Sequence, residues 1–363
     1  MKIKTSIYSH AALALLGGVA NAQNNSATDP VGFHTLTAYG NGGSGERFSL
    51  LAPGLVNPIE YASAATAITV DTITVDGTPF AGLDFGSLPN SDGGASYYVE
   101  ITGDSNDPDP DDADYFETGA WANIVSNTDG SLTLDRDLSD AGQTSKIAIR
   151  KHVTLEDLFG AANEAGLDDG GSLAAADEIT LFSSLAPAKV YFYFNNGAQE
   201  GWATAAGQPA ANAPIEPQQG VYVKRKVAGD AVFTRAGHVK VGATKLSVNA
   251  GFNALANPRA VGEDDADMPV FTLDSSNLHS DDAANSVDGG TTLSAADEVT
   301  VFLPGGGFGV FFYFDNGAGL EGWADGGGNP SGDFVLENGT GFILNRKNSG
   351  PFVWTVPAET IAD

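Results

Sequence analysis

The feature that most constrains this chain is a repeat inside it. Ala175-Ala176-Asp177-Glu178 returns as Ala295-Ala296-Asp297-Glu298, an offset of 120, and EITLF (178–182) returns as EVTVF (298–302). The aromatic stretch YFYFNNGAQEGW (191–202) comes back as FFYFDNGAGLEGW (311–323), with a one-residue slip in the loop before Glu-Gly-Trp. From there the offset is 121: GVYVKRK (220–226) matches GFILNRK (341–347), and AVFT (231–234) matches FVWT (352–355). A unit of roughly 85 residues is therefore present twice, and the fold must be one that the same elements can build twice. GFNALANP (251–258) introduces the second copy, and RFSLLAPG (47–54) shares its Phe, Leu-Ala and Pro spacing loosely. If these correspond, the first copy begins early and is interrupted before it resumes near residue 151.

Local signals within the unit are those of strands. EITLF and EVTVF alternate apolar and polar residues, as half-buried strands do. Asn196-Gly197 and Asn316-Gly317 close the aromatic strands with a pair that tolerates positive φ. The interrupting stretch carries expected hairpins at Asp76-Gly77 and Asp129-Gly130 and a strand at YYVEIT (97–102). SLAAADE and TLSAADE predict one helical turn each. HVTLEDLFGAANEAG (152–166) predicts the one longer helix, with Thr154 as cap and Asp157 reaching back. The expectation is an all-β protein of tandem sandwich- or barrel-like modules with few short helices. Residues 23–55 and 151–236 would form a discontinuous first repeat module, 56–150 a small inserted β module with an acidic loop, and 237–363 the second repeat module.

Several of these stretches together resemble a known family. Asp29-Pro30-Val31-Gly32, YYVEIT, FNALANP, AADEVTVF, the aromatic strand followed by Gly-Trp, and GTGFIL resemble exported modular β proteins known mainly from Verrucomicrobia and their relatives. The resemblance covers nearly the whole mature chain. It implies export and a modular β architecture and carries no activity with it. The acidic segment after YYVEIT is longer than the family pattern implies.

The first residues also predict export. Lys2 and Lys4 precede a small apolar run from Ala11 to Ala20, and Ala20-Asn21-Ala22 suits cleavage, so residues 1–22 are expected to be a signal peptide. Subtracting Lys2 and Lys4 takes the formal charge from -29 to -31. Such a charge repels phosphate backbones and anionic lipid surfaces, and so argues against nucleic-acid and membrane partners. It serves solubility in salty water, or the binding of divalent cations. The chain holds no cysteine, so neither disulfides nor thiolate chemistry contribute.

Candidate sites are few. Asp104, Asp107, Asp109, Asp111, Asp112 and Asp114 crowd one loop, and calcium is the hard cation that such oxygens suit. The spacing departs from a calcium-binding helix–loop–helix frame, with Pro108 at its fifth position and Tyr115 at its twelfth. A solvated acidic hairpin tip is the plainer alternative. GEDDAD (262–267) is a weaker acidic cluster. His34, His152, His238 and His279 have no metal-ligand spacing. Ser44 lacks the glycine that a nucleophile elbow needs two residues on. Glu200 and Glu321 each stand beside a tryptophan, but a glycosidase needs its two carboxylates in one cleft. Trp202 and Trp323 would either pack on their own aromatic strands or stack on a sugar ring. The basic ends 224–226 and 346–347 are expected at strand edges, where charge discourages aggregation.

By elimination the sequence points to an exported, non-enzymatic structural or interaction protein of the cell surface or extracellular space, with the periplasm as another possible stop. Its partner would be a glycan, another envelope protein or a second copy of itself. The alternative is a carbohydrate-binding or calcium-stabilised adhesive module. A polysaccharide hydrolase stands last, because no catalytic constellation is visible.

Overall fold

Strand-forming sequence dominates the chain, and the computed structural model of the protein is nearly all β. It describes residues 31–356 apart from 44, 87–93, 106–117, 183–186, 241, 259–269 and 305. The described residues open with β1 (Val31–Ala38), β2 (Arg47–Leu51) and β3 (Leu55–Val56). Six strands follow: β4 (Ile59–Ile68), β5 (Thr72–Val75), β6 (Tyr97–Gly103), β7 (Trp121–Asn127), β8 (Ser131–Leu134) and β9 (Lys146–Lys151). They close into a barrel in the order β4-β5-β8-β7-β6-β9.

Beyond the barrel come β10 (Val153–Thr154), α1 (Leu155–Phe159), β11 (Glu178–Leu181), β12 (Lys189–Asn195), β13 (Glu200–Thr204), β14 (Pro214–Ile215), β15 (Val221–Arg225) and β16 (Ala231–Val239). The last strands are β17 (Thr244–Val248), β18 (Gly251–Ala256), β19 (Glu298–Phe302), β20 (Phe308–Asp315), β21 (Glu321–Asp325), β22 (Gly341–Arg346) and β23 (Phe352–Val356).

The repeat is visible in the pairing. One five-stranded sheet runs β13-β12-β11-β15-β2 and the other β21-β20-β19-β22-β18, the same order element for element. A second layer repeats too, since β1 pairs with β16 as β17 pairs with β23. β2 meets β15 with Arg47 opposite Arg225, and β18 meets β22 with Gly251 opposite Arg346. RFSLLA and GFNALA therefore occupy equivalent strands. In each unit the two layers enclose a core, with Tyr191, Tyr193, Trp202 and Phe233 in one and Phe311, Trp323, Phe342 and Trp354 in the other.

The two sandwiches meet reciprocally. Ala52 N–H donates to the Gly339 carbonyl at 2.9 Å, and the equivalent Ala256 N–H donates to the Gln218 carbonyl at 2.9 Å. Leu51 bridges to Thr340 as Leu255 bridges to Gln219. Contact i-to-j mirrored by j-to-i is the mark of an isologous join, so the repeats sit about an approximate two-fold axis. Gly220 and Gly341 line this join. A Cβ on Gly341 would lie 2.8 Å from the Leu255 carbonyl oxygen.

The barrel strand YYVEIT has four successive buried residues, Tyr98, Val99, Glu100 and Ile101. Alternation explains it. Val99 and Ile101 point into the barrel core with Ile73, Ile124, Ile147 and Ile149. Tyr98 and Glu100 point outward and are covered by the sandwiches. Lys240, just after β16, places Nζ 2.6 Å from Glu100 Oε1, and Arg150 Nη1 donates to the Asn57 carbonyl at 2.8 Å.

Two local expectations need correction. The helix predicted over 152–166 is only α1, because Gly160 leaves the helical region at φ 88. Its cap is as expected: Asp157 N–H donates to Thr154 Oγ1 at 3.2 Å, and Thr154 N–H to Asp157 Oδ2 at 3.0 Å. Asp76-Gly77 ends β5 without forming a hairpin, since β5 turns back onto β4 through Thr69 and Thr72. Ser172 to Ala175 and Thr292 to Ala296 make the single hydrogen-bonded turns expected of SLAAADE and TLSAADE, and neither extends into a helix.

Candidate functional site

The repeated polar motifs are spent on the fold. In the first unit the Asp177 carboxylate accepts from Arg225 Nη1 at 2.6 Å, from Lys226 N–H at 2.7 Å and from Asp168 N–H at 2.6 Å. In the second, Asp297 accepts from Arg346 Nη1 at 2.6 Å, Lys347 N–H at 2.7 Å and Asp288 N–H at 2.8 Å. Both pairs are buried. Arg225 and Arg346 are thus interior ties and not the edge charges expected from the sequence. Lys226 and Lys347 do reach the rim, where they meet Glu178 at 2.7 Å and Glu298 at 3.0 Å.

Trp202 and Trp323 are 2% and 4% exposed, so neither offers a face to a sugar, which corrects their candidacy as ligand residues. Trp202 packs edge-on against Tyr193 and donates Nε1–H to the Gly160 carbonyl at 2.8 Å. Trp323 packs edge-on against Tyr313. Their wide apolar rings go to the core because burying them is worth more than exposing them. Glu200 and Glu321 are exposed at the starts of β13 and β21, on two different sheets.

Of the six acidic-loop residues, Asp104 alone is described. It is buried, and its Oδ1 accepts from Gly142 N–H at 2.8 Å and Ser145 hydroxyl at 3.2 Å, so it ties the β6 end to the loop before β9. Asp107, Asp109, Asp111, Asp112 and Asp114, the GEDDAD cluster, Ser44 and the expected signal peptide lie outside the described residues. No helix among the described residues is long and apolar enough to cross a membrane.

The histidines stand apart from one another. His34 Nδ1 lies 3.4 Å from the Pro53 carbonyl, and burial lowers its pKa. His152 is buried between Tyr98 and Trp121 with Nε2 2.7 Å from Asn123 Oδ1. Burial, opposed by a backbone hydrogen bond and reinforced by the Arg136 charge, takes its pKa down to about 3. His279 stacks on Tyr313, and His238 pairs across the sheet with Val31 and Val56.

One place gathers polar groups that the fold leaves unspent. A cleft opens where the barrel meets both sandwiches, lined among others by Trp121, Arg136, Glu216, Gln218, Asn249 and Phe252. It holds about 520 Å³ of open space with its solvent-facing mouth included. The Arg136 guanidinium lies over the Trp121 ring, 3.9 Å from its centroid, and Nε meets Asp135 at 3.3 Å. Arg136 Nη2 is buried without a hydrogen-bond partner among the described residues, and so is Gln218 Oε1. Gln218 is 7% exposed yet holds a left-handed backbone at φ 58. Phe252, at the rim, is 76% exposed.

Sequence reasoning missed this cleft because its parts come from three distant segments. One signal was there: EPQQG (216–220) aligns with ENGTG (337–341), so Gln218 replaces the Gly339 of the other copy. No family model, no curated protein and no solved structure matches the chain.

Proposed function

We propose that this is an exported, non-enzymatic structural or interaction protein of the cell surface or extracellular space, in which a doubled β-sandwich host carries an inserted barrel. The observation that supports it most is the use made of the repeated motifs. Asp177 with Arg225, Asp297 with Arg346, and the two Glu-Gly-Trp tryptophans all serve to hold the sheets, so duplication has multiplied a scaffold and not a reactive centre. The N-terminal sequence supports export, and the formal charge of -29 disfavours nucleic acid as a partner.

Cell fractionation with immunogold labelling tests this. The protein should be found in the envelope or extracellular fraction. Recovery only from the cytosol, or only as free periplasmic protein, would overturn the assignment.

A further inference from the structure

We infer that the cleft between the barrel and the two sandwiches binds a neutral polyhydroxylated ligand, a glycan ring, held by Arg136, Gln218 and Phe252. The inference rests on the interaction-protein reading above and names the partner's chemistry.

Gln218 is the first reason. Its counterpart Gly339 has φ 80, and a Cβ there would come 2.8 Å from His34 Nε2, so the repeat uses glycine at this turn. Gln218 holds the same left-handed backbone although its Cβ disfavours it. It also buries an amide oxygen that nothing among the described residues satisfies. The backbone turn serves the join, where the Gln218 carbonyl takes the Ala256 amide, but the unsatisfied side-chain acceptor is a cost without return to the fold, and such costs gather at ligand sites.

Arg136 gives the second reason and narrows the class. Among the described residues its Nη2 lacks an acceptor while Gln218 Oε1 lacks a donor. A hydroxyl group can donate and accept, whereas an anion would satisfy only the arginine and a cation only the glutamine. Asp135 at 3.3 Å from Arg136 Nε already balances the guanidinium, and Glu216 lines the same cleft, so negative charge gains little there. Phe252 adds an exposed aromatic face at the rim, against which the apolar face of a sugar ring can stack.

The test is a glycan array of neutral and acidic oligosaccharides probed with the full mature chain, followed by calorimetry on the strongest hit. Two variants accompany it. Gln218→Gly restores the residue that the other repeat uses, and Phe252→Ser alters an exposed rim residue, so both should keep the wild-type melting temperature. Neutral glycans should bind, and each variant should weaken that binding by about ten-fold or more. No glycan binding, a preference for acidic glycans, or unchanged affinity in both variants would overturn the site. An envelope protein that binds no glycan refutes this inference alone. A cytosolic protein refutes the reading beneath it.

Discussion

The Asp177 carboxylate and the Arg225 guanidinium meet 2.6 Å apart in the interior of the first sandwich, both of them buried. The same carboxylate also takes the Lys226 and Asp168 amides, so one side chain joins the end of β15 to the turn before β11. Removing it strands a buried guanidinium. Asp177→Ala should therefore cost about 3–5 kcal/mol in chemical denaturation. Asp177→Asn, which keeps an acceptor, should cost less. A loss below about 1 kcal/mol for the alanine variant would show that the pair contributes little.

Trp202 should behave as a core residue with one polar tie. Trp202→Phe keeps an aromatic ring but leaves the Gly160 carbonyl without its indole donor. The expected cost is about 1–3 kcal/mol in the same measurement. Glycan affinity should not change, and if it fell while stability held, the buried position of the indole would be in doubt.

Acid should weaken the fold through His152. Its folded pKa lies near 3, below the ordinary 6.5. Above pH 6.5 the ring is neutral in both states and nothing is lost. As pH falls from 6.5 towards 3, the unfolded chain takes up a proton that the folded chain refuses. Stability then drops by about 1.4 kcal/mol per pH unit from this group alone. Urea unfolding at several pH values should give a shallower slope for His152→Gln than for the wild type between pH 6 and 4, roughly one proton less. Parallel slopes would contradict the assignment.

The join between the sandwiches makes a steric prediction. Gly341→Ala puts a methyl 2.8 Å from the Leu255 carbonyl oxygen and from Leu50 Cγ. It should destabilise by about 1–3 kcal/mol. Gly229→Ala is the control, since nothing lies within 4 Å of its Cβ position, and it should stay within about 0.5 kcal/mol of wild type. Equal melting temperatures for the two variants would mean that the join is not close-packed.

Much of the fold was legible because repetition and alternation are local signals. EITLF and EVTVF announced β11 and β19, and Asn196-Gly197 announced the turn between β12 and β13. Even the loose match of RFSLLAPG to GFNALANP was a strand equivalence. Two things were not legible. Asp177 and Arg225 lie 48 residues apart, so only folding reveals that the repeated Asp and the repeated Arg are partners. YYVEIT reads as a strand with one buried face, but both of its faces are covered because the barrel is itself packed against a second body. The cleft was hidden for the same reason, as its walls come from Arg136, Gln218 and Phe252 in three separate segments.

The way the barrel is entered and left has a further consequence. Its first and last strands are neighbours, with Ile59 opposite Arg150 and Tyr61 opposite Ile149. Incoming and outgoing chain are therefore about 5 Å apart, one strand spacing. To the host, whatever folds between those ends is a loop whose mouth has a fixed width. The sandwich pairs β1 with β16 and β2 with β15 across the whole insertion, so this sheet pairing does not depend on how much chain the mouth releases. A different unit whose ends lie one strand spacing apart would meet the same mouth and leave the pairing of β1 with β16 and of β2 with β15 as it is.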